Sequence, residues 1–112
     1  MVRYLAVYIG TASAAAMTEQ PISPATERAG MKAWGEWATQ HKASIIDPGT
    51  PLGRTKRVSK AGVEDTKNQL TGYTIVEAGS LAEAAEMFKS HPHFTVFPGD
   101  SVEVVECLEM PR

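Results

Sequence analysis

The sequence predicts an α+β fold, and two stretches of the chain carry that prediction. Residues 72–106 run as strand, helix and strand without interruption, and residues 2–41 begin with a strand and continue into a second helix. The composition, 43% hydrophobic and 21% charged, is that of an ordinary globular protein. At 112 residues the chain is long enough for one core, so a single domain over residues 1–112 is expected.

The first half of the chain opens with a strand at Val2–Ile9, whose two faces are both apolar. A loop is expected over Thr11–Ile22, after which Ser23-Pro24 supplies an N-cap and a first-turn proline. The helix that follows carries one broad apolar stripe made by Met31, Trp34, Trp37, Ala38 and His41. This stripe is expected to pack on a sheet.

The middle of the chain is rich in turns. Ala43–Asp47 is a short predicted strand that stops at Pro48-Gly49. Arg54–Ser59 alternates in the manner of a strand, and the turn Lys60-Ala61-Gly62 suggests a hairpin returning through Val63. Asp65–Thr71 is predicted to be a loop or one helical turn.

The second half has the clearest boundaries. Tyr73–Ala78 is rich in β-branched and aromatic residues, which favour a strand. Ser80 and Glu83 form a capping box, with the Glu83 carboxylate reaching back to the Ser80 N–H. Pro92 is expected to end the helix near Ser90, and the last strand is predicted at Ser101–Leu108.

This order of elements is the β-α-β-β-α-β pattern of a ferredoxin-like fold with an elaborated central hairpin. Both helices would cover one face of the sheet. The strands would leave Tyr4, Ala6 and Tyr8 on the other face, which is too apolar for a monomer to expose. A homodimer that pairs sheet to sheet, a dimeric α/β barrel, is therefore expected.

Charge and motifs exclude several classes of function. With 11 basic and 13 acidic side chains, the net charge of −2 gives no general attraction to nucleic acid or to anionic membranes. The single cysteine, Cys107, is expected to be a buried thiol in a reducing compartment, and a cytoplasmic location follows. The start of the chain only loosely mimics a secretory signal. No phosphate loop, hydrolase elbow or paired-cysteine motif is present, so no cofactor and no metal are expected.

Several short sequence motifs together resemble the YCII-related (DGPF-type) family of small dimeric ferredoxin-like α/β proteins. The resemblance covers nearly the whole chain and rests on the order and spacing of these motifs. The motifs are the opening MVRYLAVYIG, the helix segment from Met31 to Trp37, Pro51-Leu52, Gly72-Tyr73, the segment from Ser80 to Ala84, His91-Pro92, and Val102-Glu103-Val104.

Two departures limit what the resemblance implies. The Asp-Gly-Pro-Phe motif is replaced by residues 63–66, VEDT, with Lys67 at the place of the lysine that usually follows it. The first-helix histidine of the family's proposed catalytic dyad is replaced by Ala33 or Trp34. The resemblance therefore implies the fold and the dimer more than a reaction.

His91 and Asp47 are the candidate catalytic residues. The pattern places His91 just past the second helix, where free carbonyls would favour a protonated imidazole, and a plain helix cap is the alternative. Asp47 could act as a base or could close an Asx turn. Of the three histidines, His91 rather than His41 or His93 is expected to matter, because His93 follows a proline in an unconstrained loop.

Aromatic residues are the candidate ligand-binding groups: Trp34, Trp37, Tyr73 and Tyr8, with Lys67 added by the family resemblance. A plain core stripe is the alternative for the two tryptophans. Two functions remain open at this point. One is a cofactor-independent enzyme acting by proton transfer on a small apolar or aromatic metabolite, and the other is a non-catalytic small-molecule-binding or regulatory dimer.

Overall fold

A computed structural model of the chain describes residues 2–11 and 22–111. Most of the predicted loop over Thr11–Ile22 lies outside these residues. In chain order the elements are β1 (Val2–Gly10), α1 (Pro24–Gln40), β2 (Ile45–Asp47), β3 (Thr55–Ser59), β4 (Gly62–Thr66), β5 (Leu70–Ala78), α2 (Leu81–Glu86), α3 (Pro92–Thr95) and β6 (Gly99–Glu106).

The main sheet has the strand order β2-β5-β1-β6, and each neighbouring pair is antiparallel. β3 and β4 form a separate two-stranded hairpin, the predicted one, which we call the arm. Without the arm, the order and pairing are those of a β-α-β-β-α-β ferredoxin-like sheet. The prediction of an α+β fold of this kind is therefore confirmed.

The residues of β1 that face the helices are not the ones that the sequence predicted. Tyr4, Ala6 and Tyr8 of β1 are buried under the helices, not on the open face. The open face instead carries Leu5, Val7 and Ile9, which are half-buried. The assignment was wrong because β1 is apolar at both odd and even positions, so its alternation does not say which set meets the helices.

The first helix begins as predicted. The Ser23 hydroxyl accepts from the Thr26 N–H at 3.2 Å, and Pro24 occupies the first turn. Trp37 is the buried tryptophan of α1, and its indole N–H donates to the Met87 carbonyl at 2.7 Å. This bond ties α1 to the segment that follows α2.

The second helix is shorter than predicted. α2 ends at Glu86, and residues 87–90 continue as turns held by bonds such as Met87 N–H to the Ala84 carbonyl. At its start the Ser80 hydroxyl accepts from the Glu83 N–H at 3.1 Å, as expected. The Glu83 carboxylate, however, accepts from the Gly79 N–H at 3.0 Å and not from Ser80.

Pro92 does not simply follow a helix end; it starts a new helix. His91 is the N-cap of α3, with extended backbone angles, and Pro92 stands at the first helical position. Ser90, with φ of 61°, reverses the chain between the two helices. The His91 ring thus belongs to the start of α3, which explains much of the site described below.

The arm and the chain end contain the remaining differences. Asp65–Thr71 is neither wholly loop nor helical, because β4 continues through Thr66 and β5 begins at Leu70. Val58 and Val63 face each other near the arm's tip and are largely exposed. Cys107 lies just after β6 and is exposed, so the prediction of a buried thiol was wrong. None of the helices among the described residues is long and apolar enough to cross a membrane.

Candidate functional site

A cavity of about 440 Å³ opens between α1, the loop after β2 and the segment that leads into β6. Its volume falls within the range of small-molecule sites, roughly 300–1,000 Å³. Its walls are mostly apolar. The large apolar and aromatic residues of the lining are Tyr8, Ile22, Met31, Trp34, Tyr73 and Phe97, together with Pro48, Pro51 and Pro98.

Aromatic rings shape one wall of the cavity. The ring of Trp34 stands edge-on to Tyr8, with centroids 5.0 Å apart, and edge-on to Phe97 at 6.1 Å. Phe97 lies directly against the backbone of Gly30 in α1, where any Cβ would collide with the ring. The absence of a side chain at Gly30 therefore decides where Phe97 can lie.

The Tyr8 hydroxyl is part of a short chain of hydrogen bonds. It lies 2.6 Å from the Thr74 hydroxyl, which donates to the Pro48 carbonyl at 3.0 Å. Because the single Thr74 proton goes to the carbonyl, Tyr8 must be the donor in the first bond. Burial raises the pKa of Tyr8 to about 12, against a smaller opposing effect of the Thr74 bond.

His93 is the imidazole that lines the cavity. Its Nε2 lies 2.7 Å from the Ile9 carbonyl oxygen, and since a carbonyl only accepts, Nε2 carries the proton. The ring packs against Gly99, where a Cβ would collide with both the ring and the His93 carbonyl. His93 is only 6% exposed, so the expectation that nothing constrains it was wrong.

His91 lies behind the cavity and is fully buried. Its Nδ1 accepts the backbone N–H of His93 at 3.0 Å, which satisfies a free donor at the start of α3. Four aromatic rings surround it: Trp34 at 4.5 Å, Trp37 at 4.6 Å, Tyr8 at 5.2 Å and Phe88 at 5.8 Å between centroids.

This environment keeps the His91 imidazole neutral. Burial, with smaller contributions from His93 and His41, lowers the pKa of His91 to about 3. With Nδ1 accepting, the proton sits on Nε2, the one buried side-chain nitrogen or oxygen of the described residues without a hydrogen-bond partner. The expectation of a protonated His91 at a helix C-terminus was therefore wrong, because the residue caps the N-terminus of another helix.

The two predicted catalytic residues are not hydrogen-bonded to each other. The Asp47 carboxylate accepts from the Gly49 N–H at 2.9 Å, which is the Asx turn named as its alternative. Neither Asp47 nor His91 lines the cavity. Of the predicted ligand-binding residues, the cavity brings together Tyr8, Trp34 and Tyr73, while Trp37 and Lys67 lie outside its lining.

The lining is uncharged within the part of the chain that the structure describes. It contains no Lys, Arg, Asp or Glu among those residues. An ionic ligand would therefore lose its hydration in the cavity without meeting an opposite charge. Metal-binding clusters of three or more His, Cys, Asp or Glu side chains are likewise absent from residues 2–11 and 22–111.

The sequence did hold a signal for the role of His93. Residues 91–93, His-Pro-His, place a side chain that can accept a hydrogen bond immediately before a proline, as in an N-cap followed by the first helical position. That pattern predicts a helix start, and His93 is a buried residue in the first turn of the new helix. The contact with Ile9 had no signal, since the two residues are 84 positions apart.

Comparison with known proteins finds similarity among solved structures. The chain is similar in structure to 5-chloro-2-hydroxyhydroquinone dehydrochlorinase (TftG) from Burkholderia phenoliruptrix AC1100, solved in complex with 2,5-dihydroxybenzoquinone. The TM-score is 0.55 at 17% sequence identity, and the match covers 91% of this chain and 89% of that one. No protein-family model and no curated protein sequence matches the chain. The likeness at this identity is one of fold, that of a small ferredoxin-like α/β protein.

Proposed function

We propose that the protein binds a small, planar apolar or aromatic molecule in the cavity and acts on it by proton transfer, without a bound cofactor. The observation that carries the proposal is the cavity itself. It joins aromatic walls at Tyr8, Trp34 and Phe97 to one fixed imidazole, His93. Apolar walls with a few convergent polar groups are the usual form of a small-molecule site.

The structural neighbour supports the same class of ligand. TftG was solved with a small cyclic compound, and its name describes chemistry on a hydroxylated aromatic ring. The fold can thus be associated with small aromatic substrates. Because a fold hosts many functions, the proposal for this chain depends on its own cavity and not on that likeness.

A binding experiment with a cavity-filling variant tests the proposal. We expect hydroquinone, a hydroxylated aromatic ring that is uncharged at neutral pH, to raise the thermal midpoint of the parent protein by several degrees at saturating concentration. Thr50→Trp, at an exposed position of the lining, should abolish the rise because the indole occupies the cavity. Gln40→Trp, exposed at the end of α1 and outside the lining, is the matched control and should retain it. Equal shifts in all three proteins would contradict the proposal.

The second candidate function, non-catalytic binding or regulation, is favoured by one observation. The Asp47 carboxylate accepts the hydrogen bond of an Asx turn, so Asp47 and His91 do not form the expected catalytic pair. Proton exchange separates the two candidates. An enzyme of the proposed kind should accelerate the exchange of the probe's ring hydrogens with D₂O, measured by proton NMR, and Thr50→Trp should not. Binding without acceleration would leave the second candidate.

The same proposal includes a homodimer in which the open faces of two sheets pair. It also includes that the chain is a single domain and that it is a member of the YCII-related family. The support is the composition of the open face. Ile75, Leu5 and Val105 lie side by side across β5, β1 and β6, and Val7 continues the apolar surface. Val105 is 50% exposed in the isolated chain. Burying apolar surface of this kind stabilises an association by roughly 25 cal/mol per Å² before its costs are subtracted.

A further inference from the structure

We propose that His93 Nδ1 is the proton acceptor of the cavity, and that the molecule the cavity takes carries a phenol-type hydroxyl group. The inference deepens the proposed function and rests on it. It assigns the base to His93 in place of His91 and Asp47. It also narrows the ligand from an apolar or aromatic molecule to one that must donate a hydrogen bond.

The first step of the argument concerns the His93 ring. Its Nε2–H is donated to the Ile9 carbonyl, so the lone pair of the neutral imidazole is on Nδ1. Within residues 2–11 and 22–111, Nδ1 has no hydrogen-bond partner, and yet it is not among the buried unpartnered atoms. Because His93 is a lining residue of the cavity, the proposal places this lone pair at the cavity surface.

The second step concerns the other polar groups around that imidazole. Tyr8 is 2% exposed, its ring centroid is 5.3 Å from that of His93, and its proton is donated to Thr74. The hydroxyl of Thr71, also in the lining, donates to the Tyr8 carbonyl at 3.1 Å. The hydroxyls of Tyr8 and Thr71 thus have lone pairs to offer and their protons already engaged. Among the described lining residues, the hydroxyls of Thr50 and Tyr73 and the indole N–H of Trp34 can still donate, and these three residues are exposed or half-buried.

The lone pair at His93 Nδ1 selects a ligand group that donates a hydrogen bond. A ligand oxygen without a proton would face another lone pair at Nδ1, and a carboxylate or phosphate would find no cation among the described residues of the lining. An aromatic hydroxyl meets both demands, since its ring suits the walls and its O–H suits Nδ1. This is the chemical class that the cavity is built to accept.

The proton transfer is balanced within the pair. The ligand O–H bond breaks, the N–H bond at His93 Nδ1 forms, and both electrons of the O–H bond stay on the phenolate oxygen. Nothing is oxidised or reduced, and the reverse transfer restores both partners. The product is an imidazolium beside a phenolate, which is neutral as a pair and bound by a charge-assisted hydrogen bond. An apolar cavity can hold such a pair, whereas it would disfavour either ion alone.

The position of His93 is set by groups other than the ligand. His91 accepts the His93 backbone N–H, the Ile9 carbonyl accepts from the ring, and the backbone of Gly99 leaves the ring its space. The base is therefore held before any ligand arrives, which lowers the cost of reaching the reactive geometry.

The test uses 4-nitrophenol and its methyl ether 4-nitroanisole, in which a methyl group replaces the hydroxyl proton that the proposal requires. At a pH where free 4-nitrophenol is mostly neutral, the phenolate absorption band should grow when it binds the parent protein. Binding of 4-nitroanisole, measured by competition, should be at least about tenfold weaker. His93→Gln keeps an N–H for the Ile9 carbonyl but has no basic nitrogen, and it should lose the phenolate band. His41→Gln, at the end of α1 and outside the lining, should keep it.

A measurement on the parent protein alone guards against a variant that fails to fold. The ¹⁵N shift of His93 Nδ1 should move from the unprotonated to the protonated range when 4-nitrophenol is added. Both nitro compounds binding equally, with no phenolate band and no change at Nδ1, would overturn the inference while leaving the cavity a binding site. Neither compound binding would overturn the proposed function as well.

Discussion

The two faces of the sheet are built from the same kinds of residue but differ in how deeply those residues are buried. On the covered face, Ala6, Val76 and Thr74 are at most 1% exposed, and the aromatic cluster around His91 packs over them. On the open face, their immediate neighbours Leu5 and Ile75 remain half-buried in the isolated chain. The difference teaches that strand residues of similar hydrophobicity become core or interface according to what packs on them.

The largest effect is expected from a charge on the covered face. Val76→Asp places a carboxylate where no water reaches, and the cost should exceed about 4 kcal/mol, a large share of a domain's stability. Urea unfolding followed by circular dichroism should show no cooperative transition. Ile75→Asp, one position away on the open face, is the control and should still fold. Similar transitions in both variants would mean that the two faces are equally buried.

Acid should destabilise the protein through His91. In the unfolded chain this side chain has its ordinary pKa of about 6.5. In the folded chain its pKa is about 3, so between these two values only the unfolded chain binds the proton. The contribution to the free energy of unfolding is therefore complete above pH 6.5 and is lost as the pH falls from 6.5 to 3. Its full size is on the order of 4 kcal/mol. Urea unfolding at pH 7, 5 and 4 measures it.

The matched variant for this pH dependence is His91→Asn, because asparagine can cap α3 and does not titrate. Between pH 7 and 4 it should lose less stability than the parent protein does, even though its stability at pH 7 is lower. If the two proteins lose stability in parallel, His91 is not the buried group that takes up the proton.

A smaller effect is expected where α1 meets the cavity. Gly30→Ala should drive Phe97 from its place and cost about 1–3 kcal/mol by overpacking. Gly35→Ala in the same helix meets nothing within 4 Å and should stabilise the protein by about 0.5–1 kcal/mol. Denaturant unfolding of both variants gives the comparison. A stabilising Gly30→Ala would show that Phe97 has room to move.

The smallest effect on the protomer is expected from the open face. Leu5→Lys should change the free energy of unfolding of the isolated protomer by about 1 kcal/mol or less, since the lysine head can reach water. In the proposed dimer, however, it would bury two charges, so light scattering should report half the mass of the parent protein. Leu108→Lys, at an exposed position beyond β6, should leave the mass unchanged. A parent protein that is already monomeric at micromolar concentration would contradict the dimer.

Local signals predicted most of the elements because their causes are local. Ser23 with Pro24 and Ser80 with Glu83 mark helix starts by hydrogen bonds that close within four residues. The arm was likewise visible from its alternation and its glycine turn. His91 and Pro92 carry a third start signal of the same kind, which the prediction of a helix end at Pro92 did not include.

By itself, therefore, the sequence determined the order of strands and helices, the helix caps and the aromatic residues available to the candidate site. Only the tertiary structure decided which face of β1 meets the helices. The sequence could not decide this, because the odd-numbered and the even-numbered residues of β1 are both apolar. The tertiary structure also decided that His93 and not His91 reaches the cavity, through a bond to Ile9 and a close approach to Gly99. Contacts between residues so distant, or set by the space a glycine leaves, depend on the packing of whole elements, which no local pattern encodes.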